Sequence, residues 1–502
     1  MSSEIIVFVG YFFLLFLFSL VFFFNGSNQS QEDYFIGGRS MGPWVTAMSA
    51  QASDMSAWLL MGLPGSILAF GFGQIWIGIG LALGTAANWI FCAKRLRKLS
   101  KSANDSITLP QYLTNRFASE KKTLQVICAV IFLIAFTVYV ASAFVAGTSV
   151  FTMLFPSISE TTAMLSFALI IIGYTFLGGF KAVCWTDFFQ GILMLVALLA
   201  IPLLVMTTMN LDTSLLQKVY TYTDASGKVV TCAFGTGLFN ASAADIISGL
   251  GWGLGYFGMP HIIVRFMSIE KPSMIKKSSI VAIIWVVLSI GAACLVAYYA
   301  RMIVGEQLLT KGLQKTVFIV MARQFFAPAI AGFLLAAIMA ASVSTADSQL
   351  LVASSSFTSD LYQPLLRKDA SEKEVLWVGR LAVVAIAVIA YIIASSKGSG
   401  AQAIMDMVEN AWGIFGAAFG PVVLFSLFWR RFNYSGACAG VIGGALVDIL
   451  WLLTMSSTGI YELVPGFIAG GAIAYFVTLA TPAPSKEVTD IFDRANVEGY
   501  DE

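Results

Sequence analysis

A carboxylate, Asp54, lies inside the apolar stretch 43–70, flanked by Ser53 and Ser56 and followed by Ala57 and Trp58. About 20 helical residues cross a bilayer core, which puts Asp54 near the midplane. An ionisable group there costs from about 3 to more than 10 kcal/mol unless it is solvated or paired. A second polar stretch, Ala341 to Asp347, sets the adjacent hydroxyls of Ser344 and Thr345 deep in another apolar segment. Buried Ser and Thr commonly bond back to the preceding helical turn. If the backbone opens around Asp54, however, the carbonyl oxygens of Ala52 and Met55 are released from helix bonding. Carbonyls and hydroxyls together then offer a small hard cation a shell of oxygens. A third stretch, Gly249 to Pro260, holds five glycines in ten residues, with Trp252 and Tyr256 between them. Such glycines either interrupt a helix, with Pro260 ending or kinking it, or let helices approach closely.

These stretches sit in a chain built for lipid. Of 502 residues, 58% are hydrophobic and 11% charged, against about 25% charged in soluble domains. The fold class is therefore an all-α polytopic membrane protein. A net charge of +1 gives no field for nucleic acid. Cys92, Cys128, Cys184, Cys232, Cys294 and Cys438 are scattered without a CxxC pair and read as buried hydrophobes. His261 is the single histidine, which leaves little for a metal centre or a His-assisted nucleophile. No GxxxxGK[ST] motif is present, so no ATP site is expected. The chain is not expected to be an enzyme.

Hydropathy divides the sequence into about thirteen spans: 5–24, 43–70, 74–93, 124–155, 161–176, 186–207, 243–262, 279–302, 327–353, 376–395, 403–428, 436–456 and 460–480. The first is read as a spanning helix and not as a cleavable signal. Polar connectors fill 27–40, 94–123, 208–242 and 354–375. Counted on alternate sides, 22 of the 29 Lys and Arg fall on one face, predicting the N-terminus outside and the C-terminus in the cytoplasm. On this topology Arg39 and Arg265 lie at cytoplasmic ends. Gly80-x-x-x-Gly84 and Gly436-x-x-x-Gly440 read as packing stripes. The interrupted spans are the second and the seventh, so each begins a unit of five. Paired interruptions at equivalent places in two halves point to a transporter's midplane site, and an odd repeat inverts the second unit.

The motifs also carry a resemblance. Tyr34-Phe35-Ile36-Gly37-Gly38-Arg39-Ser40, the run from Ala52 to Gly65, Gly178 to Asp187, Gly251 to Phe266, Ser344-Thr345, Phe415 to Pro421 and Gly436 to Gly440 resemble the sodium/solute symporter family, most closely its sodium/proline branch. The resemblance implies a five-plus-five inverted-repeat core with broken helices. The corresponding domains are an N-terminal helix and connector (1–42), a first repeat (43–207), an external loop (208–242), a second repeat (243–428), two further helices (429–480) and a cytoplasmic tail (481–502). It implies sodium held by main-chain oxygens of Ala52, Met55 and Ala341 and side-chain oxygens of Ser344 and Thr345. Asp54 and Asp187 are implied in sodium coupling or on the sodium path. The implied proline site comprises Ser56, Ala57, Trp58, Tyr139, Trp252, Tyr256 and Pro260. Proline's carboxylate suits N–H groups at a helix start, its ammonium suits aromatic faces, and aromatic walls fit its ring; the alternative reading of Trp252 and Tyr256 is core packing.

The expected partners are L-proline, sodium as coupling ion and the lipid bilayer of a bacterial plasma membrane, with no other cofactor, no nucleic acid and no obligatory protein partner. The same fold carrying pantothenate, a sugar or a sialic acid is the alternative. A transporter-like sensor is a further one, against which the short tail after Ala480 argues. Glu409 departs from the small or apolar residue that the resemblance implies near that position.

Overall fold

Apolar runs this long take helical form because only a helix satisfies its own backbone polar groups away from water. The computed structural model describes residues 3–24, 30–223, 227–397 and 401–501. Helix α1 (Ser3–Phe24) covers the first span, and α2 (Gln31–Ile36) follows it. The second span is broken into α3 (Pro43–Met55), a single tight turn at Ala57–Leu59, and α4 (Gly62–Phe70). Helix α5 (Ile75–Ala87) passes through a wide turn, Asn88–Cys92, into α6 (Ala93–Ser102). The 94–123 connector is thus largely helical, and it also carries α7 (Leu109–Arg116).

Helix α8 (Thr123–Leu154) leads to α9 (Glu160–Thr208), a run of 49 residues. At 1.5 Å per residue that is about 74 Å, more than twice a bilayer core of about 30 Å. Gly179 breaks it with φ 65° and ψ −175°. The two expected spans therefore meet at one residue, and no separate 177–185 connector forms. Beyond α9, strands β1 (Tyr220–Thr223) and β2 (Val229–Cys232) pair antiparallel, Tyr220 opposite Cys232.

The second half opens with α10 (Ala243–Gly251), a tight-turn helix at Trp252–Phe257, and α11 (Pro260–Ser268). Then come α12 (Ile275–Ile303), α13 (Gly305–Leu309), α14 (Val317–Phe325) and α15 (Pro328–Ser355), the last extended by a wide-turn helix to Leu366. Helices α16 (Glu372–Lys397), α17 (Ala401–Phe428), α18 (Tyr434–Thr454), α19 (Leu463–Ala480) and α20 (Lys486–Ala495) complete the chain. The tail read as simply polar thus contains a helix. Among the described residues, ten helical runs are long and apolar enough to cross a membrane. Phe13, Leu203 and Leu453 on them are exposed, as lipid-facing side chains would be. The protein is a multi-pass membrane protein.

Several polar connectors meet on one face of the helix bundle. Lys181 pairs with Asp33, Thr108 and Gln125 bond Asp360, and Arg430 pairs with Asp493 of α20. The other face carries the hairpin, held by Arg301 of α12 through the carbonyls of Lys218 (2.5 Å) and Cys232 (3.0 Å). The glycine stripes act as spacers. A Cβ on Gly84 would stand 2.3 Å from the Gly253 carbonyl oxygen, and one on Gly436 would stand 1.9 Å from Thr478 Oγ1.

Candidate ion and substrate site

Helix α3 ends because Ser56 adopts φ 48°, a left-handed conformation that no helix continues through. The chain restarts at Ala57, with Ser56 Oγ accepting the Trp58 N–H at 3.2 Å. Leu59 gives its N–H to the Ser56 carbonyl, so the Met55 carbonyl is spared the usual four-residue bond. Helix α15 passes beside this end. Ser344 Oγ donates to the Ala52 carbonyl at 2.8 Å and also reaches the Ala341 carbonyl at 3.2 Å. Thr345 Oγ1 donates to the same Ala341 carbonyl at 3.0 Å. Neutral oxygens of Ala52, Ala341, Ser344 and Thr345 thus converge in a fully buried place. That donor set fits a small hard monovalent cation, whose ligands would be the same oxygens with the hydroxyl protons turned away.

Asp54, 5% exposed, points elsewhere: its Oδ2 accepts the Tyr256 hydroxyl at 2.5 Å. The carboxylate joins the two broken helices. Tyr256 belongs to the turn at Trp252–Phe257, whose carbonyls are taken by distant donors: Asn88 Nδ2 to Tyr256 at 2.9 Å and Trp412 Nε1 to Trp252 at 2.9 Å. Around them is an aromatic box. Trp252 lies face-on to Trp58 (centroids 6.3 Å, 18°), Trp412 (6.2 Å, 29°) and Tyr461 (5.1 Å, 26°), while Tyr256 meets Trp412 edge-on. A cavity of 20 Å³ remains between Asp54, Ser56, Trp58, Tyr139, Trp252 and Trp412. A carboxylate and aromatic faces at one point suit the ammonium and apolar ring of a small zwitterion.

The profile of the Sodium:solute symporter family matches residues 34–444. The chain belongs to that family. The symporter is 42% identical to the high-affinity proline transporter of Bacillus subtilis, covering 92% of this chain and 95% of that one. It is 41% identical to the sodium/proline symporter of Escherichia coli, covering 94% and 92%. Among solved structures it resembles a Na+-coupled sialic acid symporter in a substrate-bound outward-open state, with TM-score 0.73, 19% identity, and coverage of 97% of this chain and 99% of that one. It also resembles a nucleobase-cation-symport-1 family transporter in a closed conformation, with TM-score 0.55, 13% identity, and coverage of 93% and 98%.

Within this symporter the residues singled out from sequence mostly converge. Ser56, Trp58, Tyr139 and Trp252 line the small cavity, and Tyr256 stands behind it on Asp54. Ala57 instead lines a larger cavity of 260 Å³ with Trp58, Gln74, Gln314, Lys315 and Glu409. Trp58 borders both and is the partition between them. Pro260 does not line either; it opens α11, where its fixed φ suits a first helical position. Leu81, Asn88, Val408 and Trp412 were not picked out. An asparagine inside an apolar span was the available signal for Asn88; nothing local marks the other three.

Asp187 sits one layer toward the basic face, fully buried. Its Oδ2 accepts Ser49 Oγ at 2.7 Å and pairs with Arg265 Nη2 at 3.1 Å. Arg265 also donates to Ser49 (2.9 Å), to Ser348 (2.5 Å) and to the His261 carbonyl. Topology is therefore not the explanation of Arg265, which is a fully buried counter-charge for Asp187. Arg39 is likewise a tether: it donates to the carbonyls of Met267 (2.6 Å) and Ser106 (2.8 Å) and pairs with Asp105 (2.7 Å). These bonds close the basic face beneath the site.

Proposed function

We propose that this chain is a secondary active transporter that couples inward sodium flow to uptake of L-proline across the bacterial cytoplasmic membrane. The observation that carries the reading is the Ser344–Ala52 contact beside the Asp54–Tyr256 bond. One oxygen cluster bridges α3 and α15, and the substrate box begins one helical turn away. Sodium, as cargo, is held by Ala52, Met55, Ala341, Ser344 and Thr345; occupancy holds α3 against α15 and so fixes the Ser56–Trp58 turn that proline meets. Asp54 acts as a nearby negative charge that draws sodium in and locks the two breaks together, and Asp187 lies on the sodium exit path. The proline transport named for relatives at about 40% identity supports the substrate.

Alternating access follows from the two cavities and the closed basic face. Proline enters through the outer cavity, Trp58 yields, and release of the Arg39 and Arg265 tethers opens the opposite side. Each charge moved inward contributes about 2.3 kcal/mol per 100 mV, roughly fifty-fold in accumulation. Splitting α9 at Gly179 and counting the two broken helices turns ten long runs into thirteen spans, with repeats at 43–207 and 243–428. The N-terminus is outside and the C-terminus cytoplasmic, on the Lys and Arg count. No cofactor besides the coupling ion and no protein partner is needed.

Purified protein in liposomes should accumulate labelled proline only under an inward sodium gradient; uptake indifferent to that gradient would defeat the coupling. Thr345→Ala should raise the sodium concentration for half-maximal uptake about tenfold, the scale of one lost charge-assisted contact. Unchanged sodium dependence would reject the ion site.

A further inference from the structure

We infer that Val408 and Trp412 on α17 are the gauge that limits the size of the substrate's ring, an inference resting on the proline reading above. Both side chains are buried, both line the small cavity, and their spacing of four puts them on one face of the helix. The cavity left between the walls, 20 Å³, holds about one water. A wall must therefore give way when substrate enters, and the walls differ in whether they can.

Trp58 can move. It belongs to a single turn at Ala57–Leu59 and backs onto the 260 Å³ outer cavity. The α17 wall cannot. Trp412 Nε1 is bonded to the Trp252 carbonyl at 2.9 Å, and its ring is held by Trp252 on the face and Tyr256 on the edge. It is seated so closely on Gly255 that a Cβ there would stand 2.0 Å from Nε1. Tyr256 in turn is fixed by Asp54 and by Asn88. Substrate thus gains room on the Trp58 side, while the reach of its ring is set by the unmoving side. One extra methylene against a fixed apolar wall is discriminated about 10–200-fold.

The test is competition against labelled proline uptake in proteoliposomes by three cyclic amino acids: azetidine-2-carboxylate, proline and pipecolate, with four-, five- and six-membered rings. Val408→Ala should lower the ratio of pipecolate to proline inhibition constants about tenfold, leaving the azetidine-2-carboxylate ratio and the sodium requirement unmoved. Val408→Leu should act oppositely, weakening proline while sparing azetidine-2-carboxylate. Trp412→Phe is expected to move the pipecolate ratio in the same direction as Val408→Ala. A folded, sodium-dependent Val408→Ala protein with an unaltered pipecolate ratio overturns the gauge. Absence of sodium-driven proline uptake in the unaltered chain would instead overturn the substrate assignment, so the two failures are distinct.

Discussion

The two broken helices reach the same centre by opposite means. The break between α3 and α4 has no glycine at its turning point: Ser56, φ 48°, carries the unfavourable conformation and caps the turn that follows. The break between α10 and α11 is rich in glycine, yet none of Gly249, Gly251, Gly253, Gly255 and Gly258 has a positive φ. There the backbone simply tightens into the turn helix Trp252–Phe257. Its glycines provide contact: Gly253 lies against the Gly80 carbonyl, Gly255 against Trp412, and Gly258 against the Phe415 carbonyl. Helix interruption and close packing were alternatives in the sequence, and here one set of residues serves both. The first break is a conformational device and the second a packing device, so they should respond to mutation differently.

The largest effect is expected at the packing break. Gly253→Ala would place a Cβ 2.3 Å from a backbone oxygen of Gly80. Backbone cannot swing aside as a side chain can, so the cost should be at or above the upper end of the usual 1–3 kcal/mol for overpacking, about 3 kcal/mol. Loss of monodisperse protein in detergent, or a marked fall in unfolding temperature, is the outcome to look for. A protein as stable as the original would show that these glycines are not spacers. A smaller effect is expected where the breaks meet. Tyr256→Phe removes the hydroxyl on Asp54 and leaves a buried carboxylate short of a donor, a loss of about 1.5–3 kcal/mol for a bond to a charged group. Because that bond joins both breaks, proline affinity and sodium affinity should fall together. A change confined to proline would mean that Asp54 has no part in coupling.

How much of this was legible beforehand depends on range. The spans followed from hydropathy, since a lipid-embedded segment must be apolar and long. The oxygen cluster at Ala52, Ser344 and Thr345 was legible because hydroxyls and a carboxylate are conspicuous in apolar runs. The boundary between spans 161–176 and 186–207 was legible, but its contraction to the single residue Gly179 was not, because a one-residue change of direction needs no polar connector. Arg265 was misread because a basic residue near a span end has a sufficient topological explanation, and only the fold brings Asp187 to it at 3.1 Å. Trp412 was missed for a similar reason. A tryptophan in a membrane helix is unremarkable until an indole N–H is found on the Trp252 carbonyl, 160 residues away.

The smallest effect is expected at the conformational break. Ser56→Gly removes two things of opposite sign. Glycine takes φ 48° without the penalty of about 1 kcal/mol or more that a side chain meets there. It also removes the Ser56 Oγ that accepts the Trp58 N–H at 3.2 Å, a cap whose replacement by glycine costs a few tenths of a kcal/mol. The net change in stability should stay within about 1 kcal/mol, measurable as a shift of a few degrees at most in unfolding temperature. Function should respond as well, because the capped turn holds the Trp58 partition between the two cavities. A rise of about two- to threefold in the proline concentration for half-maximal uptake, a loss of under 1 kcal/mol, with an unchanged sodium requirement, is the expected result. A large destabilisation would mean instead that Ser56 is a packing residue, and the two breaks would then be alike.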